Sequence, residues 1–499
     1  MRAPFATIAV CLWTAIALGA EPDAKKDIIK FAATVVRDFP EVPGFGLAIV
    51  RDGKPYLTAG FGLADREKRV AAGADTVYYI ASSTKSFTGL AAAILHTRGT
   101  IDLDAPLTRY VPEAKFPEGV DPQRITLRRL LTHTLGFEND PIVTRTAFTG
   151  EHTPAKIVEL IASSRRLETD QFHYDNIGYV VAAIAMERAT GRKWQDLLQQ
   201  LVFTPIGMKH TSAYISKAER WPLAEAYAIG RSASLERLPR LKTDATMHAA
   251  GGMVTTPRDA ALWLEANLNE GRVGGKQAIP AAAIALAHTT QAATDSRAYR
   301  FSRKGYGLGW FTGEFEGEPF LHHFGGFEGW RAHISFMPGR DIGVAVFTNA
   351  TGPAGAMPDI VAAYVYDRLR LGPEANEKYA KELAERKNTN SQLMERFRKD
   401  LENRARRVSM LKHPPEAYTG DFTNPAYGKL VIRANDNALH ASIGQLSAVL
   451  EPFTEVESAR VELVPGNGEV LRFSFDSGDR ATSVKWRDEV FQRSGPRSE

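Results

Sequence analysis

Residues 81–95 read Ala81-Ser-Ser-Thr-Lys-Ser-Phe-Thr-Gly-Leu-Ala-Ala-Ala-Ile-Leu95. Phe87, Leu90, Ala91, Ile94 and Leu95 fall at i, i+3, i+4, i+7 and i+8, one apolar stripe of a helix that Gly99 stops. Ser82 and Lys85 stand at the head of that helix, three residues apart and therefore on one face. A hydroxyl and an amine thus meet where backbone N–H groups and the positive end of the helix dipole can hold an oxyanion. Serine is a useful nucleophile only when a base takes its proton, and lysine is such a base once burial lowers its pKa toward neutrality. Taken alone, Ser82 to Lys85 equally describes an N-cap serine followed by a surface lysine.

Upstream, residues 44–62 have the pattern of a β-hairpin: an apolar run from Gly44 to Val50, an Asp52-Gly53 turn, then Tyr56 to Phe61. Downstream, His333 to Met337 and Ile342 to Thr348 form a second pair across Pro338-Gly-Arg-Asp341. Helical patterns at 125–132, 177–189 and 257–268 lie between, with Gly191 closing the second and Thr255-Thr256-Pro257 opening the third. Antiparallel strands from both ends of a domain, with helices between, predict an α+β fold with one sheet closed by its terminal segments. Gly372-Pro373 ends the last apolar helix of this unit, which is expected to span 21–372. Residues 373–412 are strongly charged, with Leu393, Met394, Phe397 and Leu401 on one side. They are expected to be a linker carrying one amphipathic helix with a solvated polar face. From 413 to 499, apolar residues alternate at Leu430/Ile432, Val461/Leu463, Leu471/Phe473/Phe475 and Val484/Trp486. Turn signals at 435–437, 466–468 and 477–479 complete the pattern of a small antiparallel β-barrel or sandwich.

The 499 residues exceed what one core usually organises. Their 62 basic and 58 acidic residues are scattered without a basic stripe, which argues against nucleic-acid binding. Residues 1–20 have the layout of a secretory signal peptide: Arg2, an apolar run from Ala6 to Leu18, then the small residues Gly19 and Ala20. The only cysteine, Cys11, lies inside it, so the processed chain would hold no thiol for catalysis, metal binding or a disulfide. No later segment is apolar for long enough to span a membrane, and a periplasmic or secreted product is expected. H-E-x-x-H, G-x-S-x-G and phosphate-loop patterns are absent.

Further segments accompany Ser82-Ser-Thr-Lys85 in a fixed order across residues 30–370. They are Val42-Pro-Gly44 with Asp52-Gly53, Ile125-Thr-Leu-Arg-Arg-Leu-Leu-Thr-His-Thr-Leu-Gly136 and Phe172-His-Tyr-Asp-Asn-Ile-Gly-Tyr179. Pro205-Ile-Gly-Met208, Ala250-Gly-Gly252, Tyr306-Gly-Leu-Gly-Trp310 and His323-Phe-Gly-Gly-Phe-Glu-Gly329 follow. The set resembles the serine β-lactamase-like hydrolases: class C β-lactamases, D-alanyl-D-alanine carboxypeptidases, D-aminopeptidases and related esterases. The resemblance implies a β-lactamase-like antiparallel sheet flanked by helices with a helical subdomain. It likens the C-terminal unit to the lipocalin-like extensions of some members, thought to shape substrate access or assembly.

By the same resemblance Ser82 is the nucleophile, Lys85 its partner, Tyr174 a proton shuttle and Asn176 a contact for the acyl amide. A tyrosine beside one or two cations is able to ionise well below its usual value of about 10, so Lys85 and Tyr174 both stand as bases. His323-Phe324-Gly325 falls where β-lactamases carry K-T-G, and peptidase and esterase branches often have H-x-G. Without the Lys-Thr pair that helps hold an antibiotic's carboxylate, a D-amino-acid peptidase, carboxypeptidase-like or esterase activity is expected first. The His323 imidazole, neutral or protonated, is expected to polarise the site or receive a carboxylate. Gly325 and Gly326 suit a strand that a substrate backbone approaches closely, and the N–H groups of Gly326 and Ser82 are implied as the oxyanion hole. His133 reads as a hydrogen-bonded core histidine, and His322 should face away from His323. No metal or cofactor is implied, the expected partner is a small-molecule or short-peptide substrate, and oligomeric state is left open. Two rivals remain at this level: a penicillin-binding sensor that acylates without turnover, and a true β-lactamase.

Overall fold

The computed structural model describes residues 23–230, 233–435 and 438–495; the leader expected at 1–20 and the turn residues 436 and 437 lie outside them. The chain opens with helix α1 (Ala24–Asp38), whose first turn is capped by the Asp23 carboxylate. The expected hairpin follows as β1 (Gly44–Arg51) and β2 (Lys54–Asp65), with Arg51 paired to Lys54 across Asp52-Gly53 and a short β3 (Val70–Ala71) beyond. Helices α2 (Thr84–Thr97), α3 (Ile177–Thr190) and α4 (Pro257–Leu268) match the apolar periodicities. Gly191 ends α3 in the left-handed conformation, and the Thr256 hydroxyl accepts the Asp259 N–H at 3.1 Å to start α4. The pattern at 125–132 yields only the five-residue helix Leu127–Leu131, because the chain turns at His133 with a left-handed φ of 59°.

Six strands then return: β4 (Ala292–Ala298), β5 (Phe301–Tyr306), β6 (Phe311–Phe315), β7 (Glu318–Phe327), β8 (Trp330–Met337) and β9 (Ile342–Thr348). The sheet order is β4-β5-β6-β7-β8-β9-β1-β2-β3. Strand β9 lies antiparallel to β1 from Phe45↔Thr348 to Val50↔Gly343, so the terminal segments close the sheet as the sequence pattern required. Alternate residues serve opposite faces. Ala345 and Phe347 join the core that holds α2 and α4, while Val344 and Val346 join the core of α1 and α5 (Met357–Leu371).

Two parts differ from expectation. The amphipathic helix expected in a linker at 373–412 is α6 (Glu374–Ala405), 32 residues and about 48 Å long, and it is not a free linker. Its first half packs Ala375, Tyr379 and Leu383 into the α1–α5 core, and the Tyr379 hydroxyl donates to Asp367 at 3.0 Å. Strands β4 to β6 carry no strong period in sequence; β4 is mostly exposed and polar, as an edge strand tolerates. Between Gly420 and Arg493, nine strands curl into a nearly closed barrel around Phe422, Leu430, Val461, Leu471 and Val484. The barrel rests on the helical region: Arg145 Nε donates to Ala426 O at 2.5 Å, and Gln445 Nε2 donates to Phe148 O and Leu241 O, each at 2.7 Å. Among the described residues no helix is long and apolar enough to cross a membrane.

Candidate active site

The turn ahead of α2 is a 3₁₀ segment, Ala81–Ser83, in which Ala81 adopts a left-handed φ of 45° at a cost of about 1 kcal/mol. Ser83 takes the N-cap position of α2, so the cap reading of Ser82 fails; its hydroxyl faces Lys85. Lys85 is fully buried, with Nζ 2.7 Å from Asn176 Oδ1, 2.8 Å from Ala250 O and 3.2 Å from Ser82 Oγ. Burial lowers its pKa to about 7 against the opposing pull of the Asp175 carboxylate. An uncharged amine has two N–H groups and one lone pair. Asn176 Oδ1 and Ala250 O take the two N–H groups, which leaves the lone pair for the Ser82 proton. The Tyr306-Gly-Leu-Gly-Trp310 segment seals this arrangement: a Cβ on Gly309 would lie 2.3 Å from Lys85 O, so only glycine lets the two backbones meet.

Tyr174, Asp175 and Asn176 arrive on the loop before α3. Burial pushes the Tyr174 phenol well above its ordinary pKa, and the neighbouring Ser82 hydroxyl and Arg303 guanidinium offset only part of this. The Arg303 cation therefore does not outweigh burial. Lys85 Nζ sits 4.8 Å over the ring face and not at the hydroxyl. His133 is the hydrogen-bonded core histidine expected, and it braces this loop. Its Nδ1 accepts the Asp175 N–H at 3.2 Å, its carbonyl accepts the His173 N–H at 2.8 Å, and its ring packs 4.6 Å from that of Tyr174. Burial, reinforced by Lys85, keeps it neutral.

His323 is buried behind the wall of the site. Its Nδ1 bonds Phe324 O at 2.7 Å and its Nε2 bonds the Tyr306 hydroxyl at 3.1 Å. Burial first, then Lys85, drives its pKa well down, which favours the neutral imidazole. His322 faces the other way as expected, accepting from Arg303 Nε at 3.3 Å among Phe301 and Phe320. Gly325 has a packing reason of its own. An added Cβ would lie 1.9 Å from Ile80 O, so the glycine lets the nucleophile turn pack on β7. Gly326 is exposed. Pairing between β6 and β7 ends at Phe311↔His322, so the rest of β7 has no β6 partner and leaves backbone available beside Ser82.

Two cations near the site carry no sequence signal. The Arg303 guanidinium lies over Phe311 and Phe324 at 4.3 and 4.8 Å and borders a cavity of about 470 Å³ that reaches Gly325 and Gly326. Lys242 lies 3.8 Å from the centre of the Phe327 ring and donates to Ala147 O at 2.7 Å; burial lowers its pKa to about 7. Lone cations in polar loops and strands are invisible to motif reading. Glu138, His173 and Asp175 bring ligand-type atoms within 4.8 Å of one another. All three are engaged within the protein: Glu138 with Arg165 and with His173 at 2.9 Å, and Asp175 with the Ile177 N–H at 2.5 Å.

The family model described as Beta-lactamase matches residues 32–365. The chain belongs to the beta-lactamase family. It is similar to Protein flp of Staphylococcus aureus strain MW2, at 26% identity over 311 residues covering 62% of this chain and 60% of that protein. The chain thus spans about three fifths of the length of the curated relatives it first matches. Among solved structures it is similar to the octameric penicillin-binding protein homologue from Pyrococcus abyssi, with TM-score 0.61 and 21% identity over 94% of this chain and 100% of that one. That coverage extends the likeness in fold over the C-terminal barrel. A second is D-amino acid amidase from Ochrobactrum anthropi SV3, with TM-score 0.59 and 21% identity over 70% of this chain and 99% of that one. In this beta-lactamase-family chain the ordered motifs thus converge on one site, Ser82, Lys85, Tyr174 and Asn176 meeting beside the free stretch of β7.

Proposed function

We propose that this chain is a serine hydrolase that cleaves amide or ester bonds through an acyl-enzyme on Ser82. The arrangement around Lys85 carries the reading: two N–H groups committed to Asn176 and Ala250, and the remaining site on Nζ turned to the Ser82 hydroxyl. Lys85 takes the Ser82 proton as Oγ attacks the carbonyl, and the oxyanion rests between the N–H groups of Ser82 and Gly326. Tyr174 passes its proton to the departing amine or alcohol and regains one from the Lys85 ammonium, so both end neutral. In the second half Lys85 takes a proton from the water that attacks the ester on Ser82 and returns it to Oγ as the acid leaves, which restores the hydroxyl.

Amides and peptides bearing a D-amino acid are the first substrate class in this reading, and small esters the second. The H-x-G segment and the likeness in fold to a D-amino acid amidase support that order. The Arg2–Ala20 layout supports export to the periplasm or beyond, which N-terminal sequencing of the secreted product tests. A serine-directed phosphonate should add once, at Ser82. Steady-state rates on D- and L-alanyl anilides, short p-nitrophenyl esters and a chromogenic cephalosporin should rank the substrate classes in the order given. A Ser82→Ala protein that keeps wild-type rates on the best substrate would falsify the proposal.

A further inference from the structure

The apolar side of the second half of α6 faces an open cavity of about 830 Å³ between the β7–β8 turn, α6, the barrel and the segments 228–230 and 351–353. Leu393, Met394, Phe397 and Leu401 form one wall, and Leu393 retains 44% of its exposure there. So exposed an apolar row on a helix docked by its other half is a surface in want of contact. The opposite wall is charged, and there Arg460 bonds Glu451 at 2.7 Å and Glu462 at 2.8 Å.

A second cavity adjoins this one at the β7–β8 turn. Glu328 and Arg331, at that turn, line both the cavity on α6 and the 470 Å³ cavity that borders Gly325 and Gly326. The two cavities thus flank the same turn, one beside the free stretch of β7 and the other beside the apolar row of α6. We infer that they act as one cleft holding the distal part of an elongated substrate, and that the part lying on α6 is an apolar alkyl or aryl chain. The inference rests on the Ser82 hydrolase reading and extends it from a small amide or ester to one carrying a long apolar group. It also gives the barrel a role, because only the docked barrel makes the α6 surface a pocket.

Two substrate series, kept below their critical micelle concentrations, test this. One lengthens the acyl chain of p-nitrophenyl esters from acetate to decanoate. The other lengthens the alcohol of D-alanine alkyl esters from methyl to octyl, and so tells which side of the scissile bond enters the cleft. In one series kcat/KM should rise by about threefold for each methylene that reaches α6. Phe397→Asp and, separately, Leu393→Asp should cut the rate on the longest member by about tenfold or more while leaving the shortest within about twofold. The unchanged short-substrate rate shows that each variant is folded. Flat rates in both series, or a chain-length gain that survives both substitutions, overturn the inference while short-ester turnover leaves the Ser82 reading standing. A wild-type protein that turns over no member removes the Ser82 reading itself, and the inference with it.

Discussion

Replacing Asp175 with asparagine removes the one charge identified as holding Lys85 above the pKa that burial alone would set. The asparagine keeps an Oδ1 acceptor for the Ile177 N–H, so the loop geometry should survive. An ordinary lysine with pKa 10.5 is a free amine in about one molecule in three thousand at pH 7, whereas a value of about 7 makes it half free amine there and about a tenth at pH 6. If Lys85 is the base, kcat/KM on an uncharged anilide should climb about tenfold per pH unit below 7 and level off above it. Loss of the Asp175 carboxylate destabilises the ammonium, lowers the Lys85 pKa and moves this limb to lower pH. At pH 6 the variant should therefore exceed the wild type, with a ceiling of about tenfold set by the fraction still protonated. A limb near pH 10, or one that moves to higher pH in Asp175→Asn, would refute Lys85 as the base.

Tyr174→Phe should still be acylated by the phosphonate but lose on the order of 10²- to 10⁴-fold in turnover of amides, because the leaving amine lacks its proton donor; stopped-flow and steady-state rates separate the two steps. Gly325→Ala drives a Cβ into Ile80 O, so thermal unfolding should report a loss of roughly 2–3 kcal/mol and activity should collapse. Gly326→Ala meets only the end of the Arg331 side chain at 3.1 Å and should keep its melting temperature. Gln445→Ala removes both hydrogen bonds from the barrel to Phe148 and Leu241, and a loss of roughly 1–2 kcal/mol of barrel docking should appear as faster proteolysis between residues 405 and 420.

What the sequence made legible follows from range. The β1–β2 hairpin, α2, α3 and α4 are specified by neighbours within one or two turns, and their residues name them. The closure of β9 on β1 was readable because apolar strands at both ends of a unit have few other partners. Strands β4 to β6 were not, since Thr294-Asp-Ser-Arg297 has neither period nor β-branched density and becomes a strand only by pairing with β5. Site identity behaved the same way. Ser82, Lys85, Tyr174 and Asn176 stand in ordered segments, but the burial that decides their charge states belongs to the packed molecule. Hence Tyr174, left open by the sequence as a base beside Lys85, is biased by burial toward the neutral phenol, and the His323 imidazole, expected at the substrate, is buried. The apolar row on α6 was visible as a pattern, yet the surface opposite it comes from a barrel some fifty residues on.

The low pKa of Lys85 is a property of backbone contact more than of any neighbouring charge. Its largest cause is desolvation, and the one charge acting on it pulls the other way. Desolvation at the head of a helix, where water ordinarily reaches the first turn, needs other chain segments to come close enough to exclude it. Three do so here. The Tyr306–Trp310 segment lies on the backbone of Lys85 through Gly309, β7 meets the nucleophile turn through Gly325, and the Ala250 carbonyl closes on Nζ itself. At two of these crossings a single methyl group would collide with a backbone oxygen, so the motifs that flank Ser82 in sequence order are the places where the chain is thin enough to keep water out. A basic amine at neutral pH and a run of glycine-bearing motifs scattered over two hundred residues are then one requirement, met by packing.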